Sequence, residues 1–188
     1  MPKVLFACSK GTESAEFTCS YDILKRAGAD LTIAKVKVDD KDTEKYFVSA
    51  QGLKIIADHF IEEVKDNVYD MIVCPGGLPN AQILGKDKTL IEMLKKQKKE
   101  GRFYCSICAS PFEVFETNGI LEGEQGTGYP GYGKLKDQTK INERVVVSNK
   151  CITSQGPCTA FEFGFALAEA LFGKDMKEKL QNGMVFKK

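Results

Sequence analysis

The residue with the greatest chemical potential in this sequence is Cys108. It stands where an apolar run that reads as a strand, Phe103 to Ile107, meets a segment that reads as a helix, Ala109 to Thr117. A cysteine at such a joint is presented, not buried. Its sulfur lies near the first unpaired N–H groups of a helix, whose positive end favours a thiolate over a thiol. A free thiol with a pKa near ~8.5 is about three per cent ionised at pH 7. A helix end contributing up to ~2 kcal/mol lowers that pKa by roughly 1.5 units and brings about half of the thiol to thiolate. The competing assignment is a small core hydrophobe, the commonest fate of a free cysteine.

Other chemistry-bearing residues are sparse. The seven cysteines, an odd number, stand at 8, 19, 74, 105, 108, 151 and 158, several of them inside expected strands. A reduced, intracellular protein fits this better than a disulfide framework. Cys105 and Cys108 form a C-x-x-C, but Cys105 falls inside a strand, no second pair stands at zinc-ligand spacing, and the single histidine, His59, is isolated. No metal site is expected, and His59 reads as a surface residue. The glycine-rich stretch from Gly123 to Gly133, continued by Lys134, approaches a phosphate-binding loop. However, Leu135 occupies the position where Ser or Thr must hold magnesium, and no clear strand leads into it, so it reads as a connection or lid.

The elements that must position Cys108 follow from hydrophobic periodicity. Strands are expected at Val4 to Ala7, Leu31 to Val38, Tyr69 to Cys74, Phe103 to Ile107, Val145 to Val147 and Cys151 to Ser154. A further apolar stretch, Leu53 to Ile56, precedes a polar helical turn from His59. Helices are expected at Glu13 to Ala27, Leu90 to Lys99, Ala109 to Thr117 and Thr159 to Leu171. Apolar strands alternating with amphipathic helices imply an α/β fold, a mostly parallel sheet with helices on both faces. Ligands of such sheets gather beyond the carboxyl ends of the strands. Four junctions then share one crevice: Lys10 to Glu16, Pro75-Gly76-Gly77, Cys108, and Ser154-Gln155-Gly156-Pro157. Gly76 and Gly77 allow backbone N–H groups close to a bound oxygen, with the N–H of Ala109 as a further donor. A tight turn explains the two glycines equally well.

At 188 residues, with 43% hydrophobic and 28% charged residues, the chain reads as a single domain, 1–188, with material for a sizeable core. The formal net charge of +1 gives no sign of a nucleic-acid or acidic-membrane partner, and the lysines from Lys86 to Lys99 read as the wet face of a helix. No apolar run approaches the ~18 residues of a membrane span. Met-Pro-Lys-Val-Leu enters a strand directly, so a signal peptide is not expected and the expected address is cytoplasmic.

Taken together, Lys10-Gly11 with Glu13 and Glu16, Arg26-Ala27-Gly28, Pro75-Gly76-Gly77 with Ala81-Gln82, Ile107-Cys108-Ala109 with Pro111, and Gly156-Pro157 with Phe161-Glu162-Phe163 resemble the ThiJ/PfpI superfamily. Within it, the chain looks most like the Parkinson-disease-linked protein deglycase (DJ-one) branch, along nearly its whole length and in the same order. The resemblance implies a flavodoxin-like three-layer sandwich, a homodimer with the pocket near its interface, and no cofactor. It makes Cys108 the nucleophile, Glu16 its carboxyl partner, and Gly77 and Ala109 the oxyanion contacts. Tyr129, Ser154, Gly156 and Pro157 are expected to line the pocket. An ionised Glu16 beside the sulfur raises the thiol's pKa, so the useful state shares one proton, mainly on the carboxyl.

Two departures narrow the activity. Superfamily members proposed to be proteases carry histidine immediately after the cysteine, where this chain has Ala109, which argues against a Cys-His peptidase. Some close relatives have a pocket histidine where this chain has Tyr129, leaving proton transfer to Glu16. The leading expectation is a glutathione-independent glyoxalase or deglycase acting on methylglyoxal, glyoxal or their early adducts. The alternative is an oxidative-stress sensor or redox-regulated chaperone that responds through oxidation of Cys108. Cys158 reads either as a resolving thiol or simply as a small residue. A thiamine-biosynthesis label borne by some relatives finds no chemical support in these residues.

Overall fold

From Val4 to Cys8 the first strand is buried at every position, as a central parallel strand covered on both faces must be. The computed structural model describes residues 1–186. Its strands are β1 (Lys3–Cys8), β2 (Asp30–Lys35), β3 (Tyr46–Val48), β4 (Lys54–Ile56), β5 (His59–Phe60), β6 (Met71–Cys74), β7 (Phe103–Ile107), β8 (Val145–Ser148) and β9 (Cys151–Ser154). The helices are α1 (Ser14–Ala27), α2 (Ile61–Val64), α3 (Asn80–Lys86), α4 (Lys88–Lys99), α5 (Ala160–Phe172) and α6 (Lys174–Gly183). The main sheet runs β5-β2-β1-β6-β7-β9-β8, parallel throughout except for β8, which lies antiparallel to β9 at the edge. This is a flavodoxin-like α/β sandwich. β3 and β4 form a separate antiparallel ribbon.

Alternation along the strands divides the core into two layers. Val4, Phe6, Cys8, Met71, Val73, Cys105, Ile107 and Ile152 pack with α1, α5 and α6. Leu5, Ala7, Ile72, Cys74, Tyr104 and Cys151 face α2, α3 and α4 on the other side. Local signals set the helix ends. Glu13 caps α1 by accepting the N–H of Glu16 at 2.7 Å, and Asp87 caps α4 by accepting that of Leu90 at 2.7 Å.

The structure differs from the sequence reading at several places. The segment after Cys108 is not an α-helix but a π-helical turn, Pro111–Glu116, preceded by Ala109 and Ser110. β2 ends at Lys35, whose buried ammonium pairs with Asp42 and caps the carbonyl of Glu44, drawing the chain away from the sheet. Leu53–Ile56 belongs to the ribbon, and His59 opens on the short β5 before α2. The short helix α3 and the polar helix α6, beyond Gly173, have no counterpart in the expected elements.

Candidate active site

At the end of β7 the backbone turns sharply, and Cys108 takes a left-handed φ of 66°. A non-glycine residue in that region costs roughly 1–3 kcal/mol and persists only where its surroundings hold it. Here they do: the Cys108 N–H donates to the Ser154 carbonyl at 3.0 Å, and its own carbonyl accepts from the Tyr129 N–H at 2.8 Å. A nucleophile carried on such a strand-to-helix elbow is pushed out of the sheet toward the ligand side. Cys108 is the half-buried thiol of this elbow, so its presentation is partial, whereas Cys8, Cys74, Cys105 and Cys151 are fully enclosed.

Glu16 reaches the same point from the first turn of α1. Its side chain is completely buried, and Oε2 accepts the N–H of Gly76 at 2.8 Å. The other oxygen, Oε1, makes no hydrogen bond. Gly76 is required by space. A Cβ there would stand 2.4 Å from Cys108 Cβ, 2.6 Å from Glu16 Oε2 and 2.8 Å from the Ile107 carbonyl. Gly77 is required by conformation as well, since its φ is +87° and a Cβ would lie 2.2 Å from the Gly11 carbonyl.

Burial pushes the Glu16 carboxyl up to about 7; the thiol of Cys108 and the N–H of Gly76 pull it down, and the charge of Glu13 adds to the rise. The Cys108 thiol is also raised, first by burial and then by the charge and hydrogen bond of Glu16, against the lowering pull of the Gly77 and Ala109 N–H groups. The helix-end argument, which puts the thiol below its ordinary value, is therefore overturned. The turn after Cys108 is short, while the carboxylate is close. The two groups titrate as a pair.

The predicted site residues divide into three sets. Cys108, Glu16, Gly77 and Ala109 come together, and the backbone N–H groups of Gly77 and Ala109 act to lower the thiol. Gly76 is in the site, but its N–H is committed to Glu16, so it steadies the carboxyl and does not face an oxyanion. The Ser154 side chain is buried and turned away, bonded to the Arg144 carbonyl at 2.8 Å and to Thr159 Oγ1 at 2.6 Å; only its carbonyl serves the site, by holding the Cys108 N–H. Tyr129, Gly156 and Pro157 line an adjoining cavity of about 430 Å³, together with Cys158 and Arg144. A Cβ at Gly156 would lie 3.2 Å from the Tyr129 ring and 4.0 Å from Glu16 Oε1, which puts the cavity next to the unpaired carboxyl oxygen.

The glycine-rich stretch covers Cys108. Gly128 lies against the Cys108 carbonyl, and the Tyr132 N–H turns back onto the Tyr129 carbonyl at 3.1 Å. Sequence reasoning missed Tyr132, whose hydroxyl donates to Glu113 Oε1 at 2.5 Å and whose phenol is raised by burial, by Glu113 and by the nearby Cys108. The second tyrosine of Tyr129-Pro130-Gly131-Tyr132 was the available signal. His59 is exposed beside Glu63, 3.3 Å away, as expected of a surface residue. None of the helices of the described residues is long and apolar enough to cross a membrane.

A mostly parallel sheet that presents a cysteine on a strained elbow, beside a buried carboxyl, defines a class of α/β proteins built around a single cysteine at the carboxyl ends of the strands. The DJ-1/PfpI family profile matches residues 2–170, and the chain belongs to that family. It is 38% identical over 175 residues to Protein DJ-1 homolog B of Arabidopsis thaliana, covering 93% of this chain but 39% of that protein. The chain thus spans less than half the length of the Arabidopsis relatives it matches. It is 31% identical over 170 residues to the glutathione-independent glyoxalase DJR-1.2 of Caenorhabditis elegans, covering 89% of this chain and 87% of that one. Among solved structures, oxidized Toxoplasma gondii DJ-1 superposes with a TM-score of 0.89 at 32% identity, with 100% of both chains covered.

Proposed function

We propose that this protein is a cofactor-independent glyoxalase or deglycase that converts small dicarbonyls such as methylglyoxal and glyoxal, or their early adducts, to hydroxy acids. The observation that carries the proposal is the pairing of Cys108 with a buried Glu16, one of whose oxygens has no partner. The likeness to a relative named a glyoxalase supports it. As the sulfur adds to the aldehyde carbon, the thiol proton passes to Glu16, and the new alkoxide rests on the N–H groups of Gly77 and Ala109. Glu16 returns that proton to the alkoxide, giving a neutral hemithioacetal, and the regenerated carboxylate takes the hydrogen from the former aldehyde carbon and delivers it to the neighbouring carbon through an enediol, which leaves a thioester on Cys108. Water cleaves that thioester, releasing the hydroxy acid and restoring the thiol. The cavity lined by Tyr129, Gly156 and Pro157 adjoins Oε1 and offers space for the remainder of the substrate.

The exposed Val48, Leu53 and Ile56 of the β3–β4 ribbon support assembly as a homodimer. Seven free cysteines suit a reducing compartment such as the cytoplasm. A redox-sensing role at the same thiol is the second reading, favoured by Cys108 being, with Cys19 and the exposed Cys158, one of three cysteines that are not enclosed, and the one of them beside the buried Glu16. The deciding experiment is lactate production from methylglyoxal without glutathione, comparing wild type, Cys108→Ser and Glu16→Gln. Turnover that disappears in both variants supports the enzyme. No turnover, or equal turnover in all three, removes the enzymatic reading and leaves the sensor.

A further inference from the structure

We propose that Asn80 is a positioning residue for the Cys108 site, its buried carboxamide holding the two peptide groups that pack beside Glu16 and Cys108. The inference rests on the reading of Cys108 as the reactive thiol. Asn80 is fully buried at the start of α3, and its side chain spans the gap between the chain leaving β1 and the chain leaving β6. Oδ1 accepts the Ser9 N–H at 2.7 Å and lies 3.0 Å from the Thr12 hydroxyl, whose single proton also has the Ser9 carbonyl at 2.7 Å; Nδ2 donates to the Pro75 carbonyl at 2.8 Å and the Gly76 carbonyl at 3.0 Å. Both N–H donors of the amide are used, and the Ser9 N–H on one side with the two carbonyls on the other fixes which end is nitrogen.

The consequence follows from peptide planarity. The Pro75 carbonyl shares its rigid trans plane with the N–H of Gly76, and the Gly76 carbonyl shares its plane with the N–H of Gly77. Holding each carbonyl therefore aims the N–H on the opposite side of the same plane. One of these donates to Glu16 Oε2 at 2.8 Å, and the other follows Gly76, whose backbone packs so closely against Cys108 that a Cβ there would stand 2.4 Å from Cys108 Cβ. Glycine resists rotation of these planes less than any other residue, so two successive glycines need an external hold. Ser110 Oγ adds a second bond to the Pro75 carbonyl at 2.7 Å, and the Glu13 N–H adds one to the Gly76 carbonyl at 3.0 Å. Among the described residues, Asn80 is the one side chain bonded to both carbonyls.

The test is the pH dependence of Cys108 alkylation by iodoacetamide, followed by peptide mass spectrometry, in wild type, Asn80→Ala and Asn80→Ser. Lactate kinetics and thermal melting accompany it. Freed peptide planes should move the alkylation midpoint up by about one pH unit and slow the reaction about tenfold at pH 7. They should lower kcat with KM little changed. Ser110→Ala, which releases one bond to the Pro75 carbonyl and leaves Asn80 in place, should shift the midpoint the same way by less, and it serves if the Asn80 variants do not fold. Unchanged alkylation profiles in every variant that folds overturn the proposal, even if melting temperatures fall. A wild type that makes no lactate defeats the glyoxalase reading alone, because the alkylation profiles decide the role of Asn80 without turnover.

Discussion

Replacing Glu16 by Gln should stabilise the protein at neutral and alkaline pH while stopping its chemistry. Glu16 is completely buried, and burial raises its carboxyl from 4.5 to about 7. Between those two values the folded state holds a proton that the unfolded chain has released, so the unfolding free energy falls as pH rises through this window. At about 1.4 kcal/mol per pH unit, the displacement amounts to about 3 kcal/mol of stability present at pH 4.5 and lost by pH 7 to 8. Glutamine keeps an oxygen to accept the Gly76 N–H, now 2.8 Å from the carboxylate, and carries no charge to desolvate. The assay is urea unfolding of both proteins from pH 4.5 to pH 8. The wild-type free energy should drop relative to Glu16→Gln by about 3 kcal/mol across the range, with the two proteins similar at the acid end. Parallel curves would falsify the account of a carboxyl raised by burial. A difference that grew toward acid would reverse its sign.

Gly76→Ala places a methyl group 2.4 Å from Cys108 Cβ and 2.6 Å from Glu16 Oε2, so it should displace both. Lactate formation should fall at least a hundredfold and the melting temperature should drop; retention of wild-type turnover would mean that the loop yields without disturbing the pair. In brief, mild peroxide treatment, tryptic peptide mass spectrometry should find oxygen on Cys108 well before Cys8, Cys74, Cys105 or Cys151, which are buried. Uniform uptake across these cysteines would count against a selectively accessible thiol.

The legible part of the site was whatever a local pattern encodes. Glycine pairs mark backbone turns, apolar runs such as Met71–Cys74 and Phe103–Ile107 mark buried strands, and Cys108 at the end of one of them marks a crevice residue. The carboxyl partner came from the resemblance, because 92 positions separate Glu16 from Cys108 and no spacing rule connects them. The short α3 and the strand β3 escaped notice, and β4 was legible only as an apolar stretch, because a few residues carry too little periodicity to be read.

By itself, the amino-acid sequence determined a mostly parallel sheet with Cys108 just beyond the carboxyl end of one strand, since the burial period of strands and helices is written in consecutive residues. Only the tertiary structure decided the state of that cysteine. Helix polarity is a local effect and argued for a lowered thiol; burial and the charge of Glu16 come from distant segments and outweigh it. The same holds for Ser154, turned into the interior by Thr159 and Arg144, and for Gly76, whose N–H belongs to Glu16. Hydrogen bonds of this kind depend on where packing leaves donors and acceptors facing each other, and that is a property of the assembled core.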